Sequence, residues 1–197
     1  MACKAPGNRP CHRLQTTFLR FSSADHTMRI RKPWWPSIVV SGSAASLVSA
    51  LVAHGLSARE NRAPFAAINA VSHWLYGPAA YREHHPSLRH TLPGFVIHHA
   101  SSLLWGALYQ VLLRRRVDRH AVTAADRPTA RGRRAAVDRW ATAAVVTAIG
   151  AFTDLRLVPP RLSPGFEHRL SKTGVALVYL GFAFGLALTP EPRGGSR

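Results

Sequence analysis

The sequence has little cysteine and little negative charge, and the first shortage excludes whole classes of protein. The only cysteines, Cys3 and Cys11, lie in a polar N-terminal segment, so the chain has neither a disulfide framework nor a cysteine-based zinc site. It also lacks a GxSxG motif, a phosphate-binding glycine loop and a defensible Ser-His-Asp arrangement, which are typical of hydrolases and nucleotide-binding enzymes. We therefore predict no catalytic residues, and a non-enzymatic role is favoured.

Charged residues are missing from four internal stretches that are rich in apolar residues. These uncharged blocks are Pro33–Ser57, His90–Leu113, Trp140–Thr153 and Thr173–Pro190. A helix needs ~20 apolar residues to cross the hydrocarbon core of a bilayer. The third block reaches that length only if its helix continues through Asp154 to Val158. We therefore predict an all-α, polytopic membrane protein with four transmembrane helices.

The basic residues lie mostly at the ends of these blocks. The chain carries 26 Lys and Arg against 9 Asp and Glu, and 18 of the 26 fall in residues 1–33, the loop Arg114–Arg139 and the tail. Because basic loops stay in the cytoplasm, we expect both termini on the cytoplasmic side of a bacterial inner membrane. The predicted division is a basic cytoplasmic segment 1–33, a membrane domain 34–190 and a cytoplasmic tail 191–197, with Met28 as an alternative start to Met1.

A strongly basic chain can bind either nucleic acid or an anionic lipid surface. A nucleic-acid-binding protein carries its arginines along one face or one strand, whereas here they crowd at the ends of uncharged blocks. The expected partners are therefore the lipid bilayer and its anionic head groups at the arginine-rich loop Arg114–Arg139. Nucleic acid is disfavoured.

Two blocks show distinct helical faces. On a wheel of residues 92–113, one arc collects the polar, aromatic and small residues His98, His99, Ser102, Trp105, Gly106, Tyr109 and Gln110. This arc should face other helices, because polar side chains are costly in lipid. Small residues recur at spacing four in the first block (Gly42-Ser46-Ala50, Ser41-Ala45-Ser49) and in the third (Ala143-Thr147-Ala151, Ala144-Ala148). Such stripes allow close helix packing, within one chain or in a homo-oligomer.

The segment between the first two blocks has its own helical pattern. Phe65, Ile68, Val71 and Leu75 recur at spacings of three and four, which is typical of an amphipathic helix lying in a membrane interface. We predict a short interfacial helix on the outer side, with Trp74 at the depth of the head groups.

Ionisable residues from separate segments are expected at one depth near the outer face. They are His54, His73, His98, His99, Asp154, Glu167 and His168. Imidazole and carboxylate groups ligate transition metals, and histidine also relays protons near neutral pH. The predicted outward-facing pocket, a candidate transition-metal site, is formed by His73, His98, His99, Asp154 and Glu167. Purely structural roles, such as helix capping, are the alternative for the same histidines.

Three stretches resemble a known group of proteins. The runs INAVSHWLYG, GFVIHHASSLLWGALY and RLSPGFEHRLS resemble small bacterial inner-membrane proteins of unknown function, some of which are labelled sodium:proline symporters. The resemblance covers Pro64–Ala187 and implies four transmembrane helices, with no catalytic residues to carry over. A symporter of the known type needs two repeats with broken helices around a midplane site, which four short helices do not supply unless several chains assemble.

Two functions therefore stay open from the sequence. The first is a non-catalytic binding or assembly role in the membrane, favoured by the small-residue stripes and the lack of a catalytic motif. The second is a metal-binding or proton- or solute-handling role, favoured by the histidine cluster.

Overall fold

The computed structural model describes residues 34–123 and 128–189, which are helical and contain no strand. The helices are α1 (Trp35–Asn61), α2 (Ala66–Val71), α3 (His73–Tyr76), α4 (Thr91–Thr123), α5 (Pro128–Phe152) and α6 (Lys172–Ala187). Short 3₁₀-helices occur at Gly77–Arg82, Pro160–Leu162 and Phe166–His168, and a π-helical turn at Thr153–Leu157. The all-α prediction is confirmed for this part of the chain. The segment 1–33, the choice between Met1 and Met28, and the tail 191–197 lie outside it.

The four longer helices form an antiparallel bundle in which α1 packs against α4 and α6, and α5 packs against the same two helices. The helices cross where small residues meet. A Cβ atom added to Gly106 would lie 2.9 Å from Cα of Gly42, and one added to Gly185 would lie 2.5 Å from Cα of Ala45. The backbones of α4 and α6 therefore touch the backbone of α1 directly, as the small-residue stripes of the first block predict.

The two small-residue stripes of the third block differ in burial. Ala143 and Thr147 are buried on α5, whereas Ala144 and Ala148 lie on its exposed face. Only the first of the two stripes is therefore a packing face within this chain.

Apolar side chains lie on the outer surface of the bundle as well as in its core, and several serines are buried. Ser41, Ser46 and Ser57 of α1 are completely buried. Large apolar side chains are exposed on all four long helices, among them Leu51 (69%), Leu104 (67%), Phe152 (58%) and Leu180 (63%). Water-soluble proteins bury such residues preferentially, so the outer surface of this bundle is suited to an apolar solvent.

Two of the described helices are long and apolar enough to cross a membrane. They are Trp35–Asn61, with a mean hydropathy of 1.7, and Gly132–Leu157, with 1.2. A shorter apolar helix covers Lys172–Ala187. The helix of the third block does continue through Asp154, as predicted, because the π-helical turn extends it to Leu157.

Both helices flanking the middle loop are longer than predicted. α4 continues past Leu113 to Thr123, and α5 already begins at Pro128, twelve residues before Trp140. Arginine is a good helix former, so the arginines that end an uncharged block do not end its helix. Charge therefore predicted where the apolar stretches end, and not where the helices end.

The predicted interfacial helix is wrong for its first half. Residues 63–85 form α2, α3 and a 3₁₀-turn, and every residue of α2 is buried against the bundle. Gly94 makes this approach possible, because a Cβ atom there would lie 2.2 Å from the carbonyl oxygen of Ile68. Farther along the segment, Leu75 is 61% exposed.

Asn69 explains why this polar-containing segment can be buried. Its side-chain amide donates to the carbonyl oxygens of Glu83 (3.3 Å) and His85 (2.9 Å), and its side-chain oxygen accepts from Thr91 Oγ1 (2.7 Å). A buried polar group is tolerated when its hydrogen bonds are satisfied. Asn69 thus ties α2 to the loop that leads into α4.

Candidate functional site

A cavity of about 230 Å³ lies among α1, α4, α5 and α6. Its lining is mostly apolar, and none of the described lysines or arginines contributes to it. The polar side chains that reach it include Ser49, His98, Thr147, Asp154 and Tyr179. An apolar cavity with a few convergent polar groups is the usual form of a small-molecule site.

His98 is held on one wall of the cavity by α1. Its Nε2 atom lies 3.0 Å from Ser49 Oγ and 3.3 Å from the carbonyl oxygen of Ser46. Because a carbonyl oxygen only accepts, these partners assign the proton of the neutral ring to Nε2 and leave Nδ1 as an acceptor. Ser49 in turn donates to the carbonyl oxygen of Ala45 at 2.7 Å. This chain of bonds fixes the orientation of the imidazole.

Asp154 and Tyr179 meet on the opposite side. The Tyr179 hydroxyl donates to Asp154 Oδ2 at 3.2 Å, and both side chains line the cavity. Asp154 lies in the π-helical turn, which ends with the bond from Val158 N–H to the Thr153 carbonyl (3.0 Å). Single π-turns of this kind often occur at functional sites, because the wider turn redirects side chains.

Two connecting segments cover one end of the cavity, and we call them the two loops: the connection from α1 to α4, which contains α2 and α3, and the connection from α5 to α6. We call the residues that they contribute to the lining the roof: Val71, Trp74, Val158, Leu162, Pro164 and Phe166. Trp74 Nε1 donates to the carbonyl oxygen of Ser163 at 2.8 Å, which links α3 to the loop before α6. The two loops also touch through their backbones, since a Cβ atom on Gly165 would lie 2.6 Å from the carbonyl oxygen of Ala70.

His73 supplies the second link between these loops. It is 4% exposed, and its Nδ1 and Nε2 atoms lie 2.8 Å and 3.2 Å from the carbonyl oxygens of Ala70 and Pro160. A neutral imidazole has one N–H and can donate to only one of these carbonyls, whereas a protonated ring donates to both. His73 therefore acts on the roof from outside the cavity.

Tyr81 and His168 form a stack of rings with His73. The Tyr81 ring lies 5.1 Å from the His73 ring and 4.5 Å from the His168 ring, measured between centroids. Burial raises the pKa of the Tyr81 hydroxyl, and the negative charge of Glu167 raises it further. Glu167 Oε1 is 3.9 Å from His168 Nε2. The stack thus keeps Glu167 beside the aromatic groups of the loops.

The five residues of the predicted metal site occupy different environments. His98 and Asp154 line the same cavity, whereas His73, His99 and Glu167 do not belong to its lining. His99 instead stacks on Phe95, with ring centroids 5.9 Å apart. Within residues 34–123 and 128–189, no group of three or more His, Cys, Asp or Glu is placed to hold a metal ion. Metal binding by these five residues stays a prediction.

The structure adds residues that the sequence did not single out for a site. Ser49 was assigned to a packing stripe, and Trp105 only to the inward arc of its helix, yet both line the cavity. Tyr179 and Trp74 also line it. A helical wheel of α6 would have shown Tyr179 among apolar neighbours, but nothing in the sequence pairs it with Asp154.

No protein-family model, no curated protein and no solved structure matches the chain.

Proposed function

We propose that this chain is a multi-pass inner-membrane protein whose four long helices cross the bilayer and hold a small ligand in the cavity between them, without catalysing a reaction. The observation that carries the proposal is the combination of an apolar outer surface with a partly enclosed cavity that has few polar groups. The first feature fits lipid as the solvent, and the second fits ligand binding.

α4 and α6 are less apolar or shorter than a typical membrane-spanning helix, but their residues suit a position across the bilayer. α4 has no Asp, Glu, Lys or Arg before Arg114, and its polar residues Ser102 and Gln110 are buried while Val96 and Leu104 are exposed. Its low apolar content therefore belongs to its inward face. α6 spans 16 residues, or ~24 Å at the helical rise, and Leu180 and Phe184 are exposed on it. A short helix of this kind is accommodated by local thinning of the bilayer.

The proposed orientation puts the cavity nearer the outer face. The distribution of basic residues favours cytoplasmic termini and a cytoplasmic α4–α5 loop. The opposite end of the bundle carries the roof and the histidines of the outer loops. A ligand would then enter from the outer leaflet or the periplasm.

Filling the cavity is the direct test of ligand binding. Gly150 lies on its wall, where an added Cβ atom would only touch Trp105 at 3.4 Å. We expect Gly150→Leu to remove binding of tritiated tert-butylbenzene, a neutral probe with one aromatic ring, to purified protein in lipid nanodiscs. The matched control is Gly55→Leu, because nothing lies within 4 Å of a Cβ atom at Gly55. Equal probe binding by the two variants would contradict a ligand site in this cavity.

A further inference from the structure

The charge of the cavity is one-sided. Among the described residues, Asp154 is the only acidic one in the lining, and no Lys or Arg contributes to it. Within the described residues, Asp154 receives a hydrogen bond from Tyr179 and has no ion pair. A carboxylate in apolar surroundings is unfavourable unless a positive group compensates it.

The rest of the lining suits a positive group that is also apolar. Five aromatic residues line the cavity: Trp74, Trp105, Phe166, Tyr179 and Phe182. The faces of aromatic rings attract cations, and tryptophan does so most strongly. Quaternary ammonium groups are recognised in this way because they carry a diffuse charge and have no N–H to donate.

The volume limits the size of such a ligand. The cavity of about 230 Å³ exceeds a ~150 Å³ cavity that takes up benzene. It is smaller than the ~300–1,000 Å³ pockets of drug-sized ligands. One small ring or chain with one ammonium group fits between these limits.

We propose that the cavity binds a small organic cation, with its ammonium group beside Asp154 and against the aromatic faces of Trp74 and Trp105. This inference rests on the ligand-binding function proposed above and names the class of its ligand. His98 takes no part in holding the charge, because its Nε2–H is already directed at Ser49 and Ser46.

Two probes of equal shape separate the role of charge from that of the cavity. Phenyltrimethylammonium and tert-butylbenzene have the same number of heavy atoms and differ by one positive charge. Binding is measured with both in nanodiscs of neutral lipid. We expect the cation to bind about tenfold more tightly than the neutral probe, a difference of ~1.4 kcal/mol. We expect Asp154→Asn to remove that difference while leaving the neutral probe bound.

Two further variants keep the result interpretable. Glu167→Gln makes the same carboxylate-to-amide change outside the lining and should retain the preference for the cation. Trp105→Leu should weaken the cation more than the neutral probe, which supplies an independent reading if Asp154→Asn fails to fold.

The outcomes distinguish this inference from the proposed function. Equal affinity for the two probes in the unaltered protein would overturn the cation site and leave ligand binding intact. Failure of both probes to bind would overturn both. Loss of the preference in Glu167→Gln as well as in Asp154→Asn would overturn the assignment to Asp154.

Discussion

The two halves of α1 have similar small residues and opposite surroundings. In the first half, Gly42 and Ala45 touch the backbones of α4 and α6 at Gly106 and Gly185. In the second half, Ser49 faces His98 and the cavity. We call these the closed half and the open half of the bundle.

The difference lies in the facing helices, since α1 itself presents Gly, Ala and Ser along its whole buried side. Where the facing residue is glycine, the backbones meet. Where it is a larger residue, as at His98, a side chain lies between the two helices and lines the cavity. A stripe of small residues therefore predicts close approach only when the partner is small as well.

The largest expected effect comes from breaking the closed half. Gly185→Leu places a Cβ atom 2.5 Å from Cα of Ala45, so α1 and α6 must separate. We expect the free energy of unfolding to fall by about 3 kcal/mol, at the upper end of overpacking costs. Unfolding in detergent monitored by circular dichroism measures the loss, and Gly55→Leu should leave stability almost unchanged. Equal stability of the two variants would contradict the backbone contact.

The next effect concerns the segment that carries the roof. Asn69→Leu removes three hydrogen bonds made by a completely buried side chain, for which we expect a loss of about 2 kcal/mol. Asn61→Leu is the matched control, because Asn61 is exposed and makes one bond, to the carbonyl oxygen of Arg169. Hydrogen exchange should show faster opening of α2 in Asn69→Leu alone. Identical exchange in the two variants would rule out this role of Asn69.

Loosening the roof itself should cost less. His73→Phe removes the bonds to Ala70 and Pro160 but keeps a ring to stack on Tyr81, so we expect a loss of about 1.5 kcal/mol. Proteolysis of the loop 158–171 should become faster. His99→Phe is the control, since no partner for His99 Nδ1 is found among the described residues. A His99→Phe variant that is cleaved as fast as His73→Phe would show that His73 does not hold the loops together.

The N-terminal cap of α6 lies at the end of the open half, and its removal should have the smallest effect on stability. There Ser171 caps α6 by accepting from Gly174 N–H (3.0 Å), and Glu60 of α1 receives the Ser171 N–H and hydroxyl at 2.7 and 2.9 Å. We expect Ser171→Ala to lower stability by about 1 kcal/mol. Thr173→Ala, two residues farther along the chain, should have little effect on the thermal midpoint. A Ser171→Ala variant as stable as the unaltered chain would show that this cap does not stabilise the protein.

The sequence predicted those features that depend on polarity alone. The inward arc of α4 is confirmed, because Ser102, Tyr109 and Gln110 are buried and Leu104 is exposed. His98 and Asp154, which the sequence assigns to one predicted pocket, line the same cavity, and their common depth in a membrane stays a prediction.

Features that depend on tertiary contacts were not predictable in the same way. The burial of α2 requires Asn69 to meet a loop 14 to 22 residues farther along the chain. The pairing of Tyr179 with Asp154 joins two helices across a distance of 25 residues. Neither contact leaves a periodic signal in the sequence. The apolar pattern in 63–85 therefore predicts a surface helix, although α2 is buried.

Spin labels on the outer surface of the bundle measure whether lipid or water surrounds it. A nitroxide at Leu104→Cys, a site 67% exposed in α4, is measured in liposomes with Cys3 and Cys11 replaced by serine. If lipid surrounds the bundle, the label will be highly accessible to oxygen and poorly accessible to a water-soluble nickel complex, with the reverse at Arg115→Cys. Easy access of the nickel complex to the label at position 104 would show that this surface faces water and that lipid does not surround the bundle.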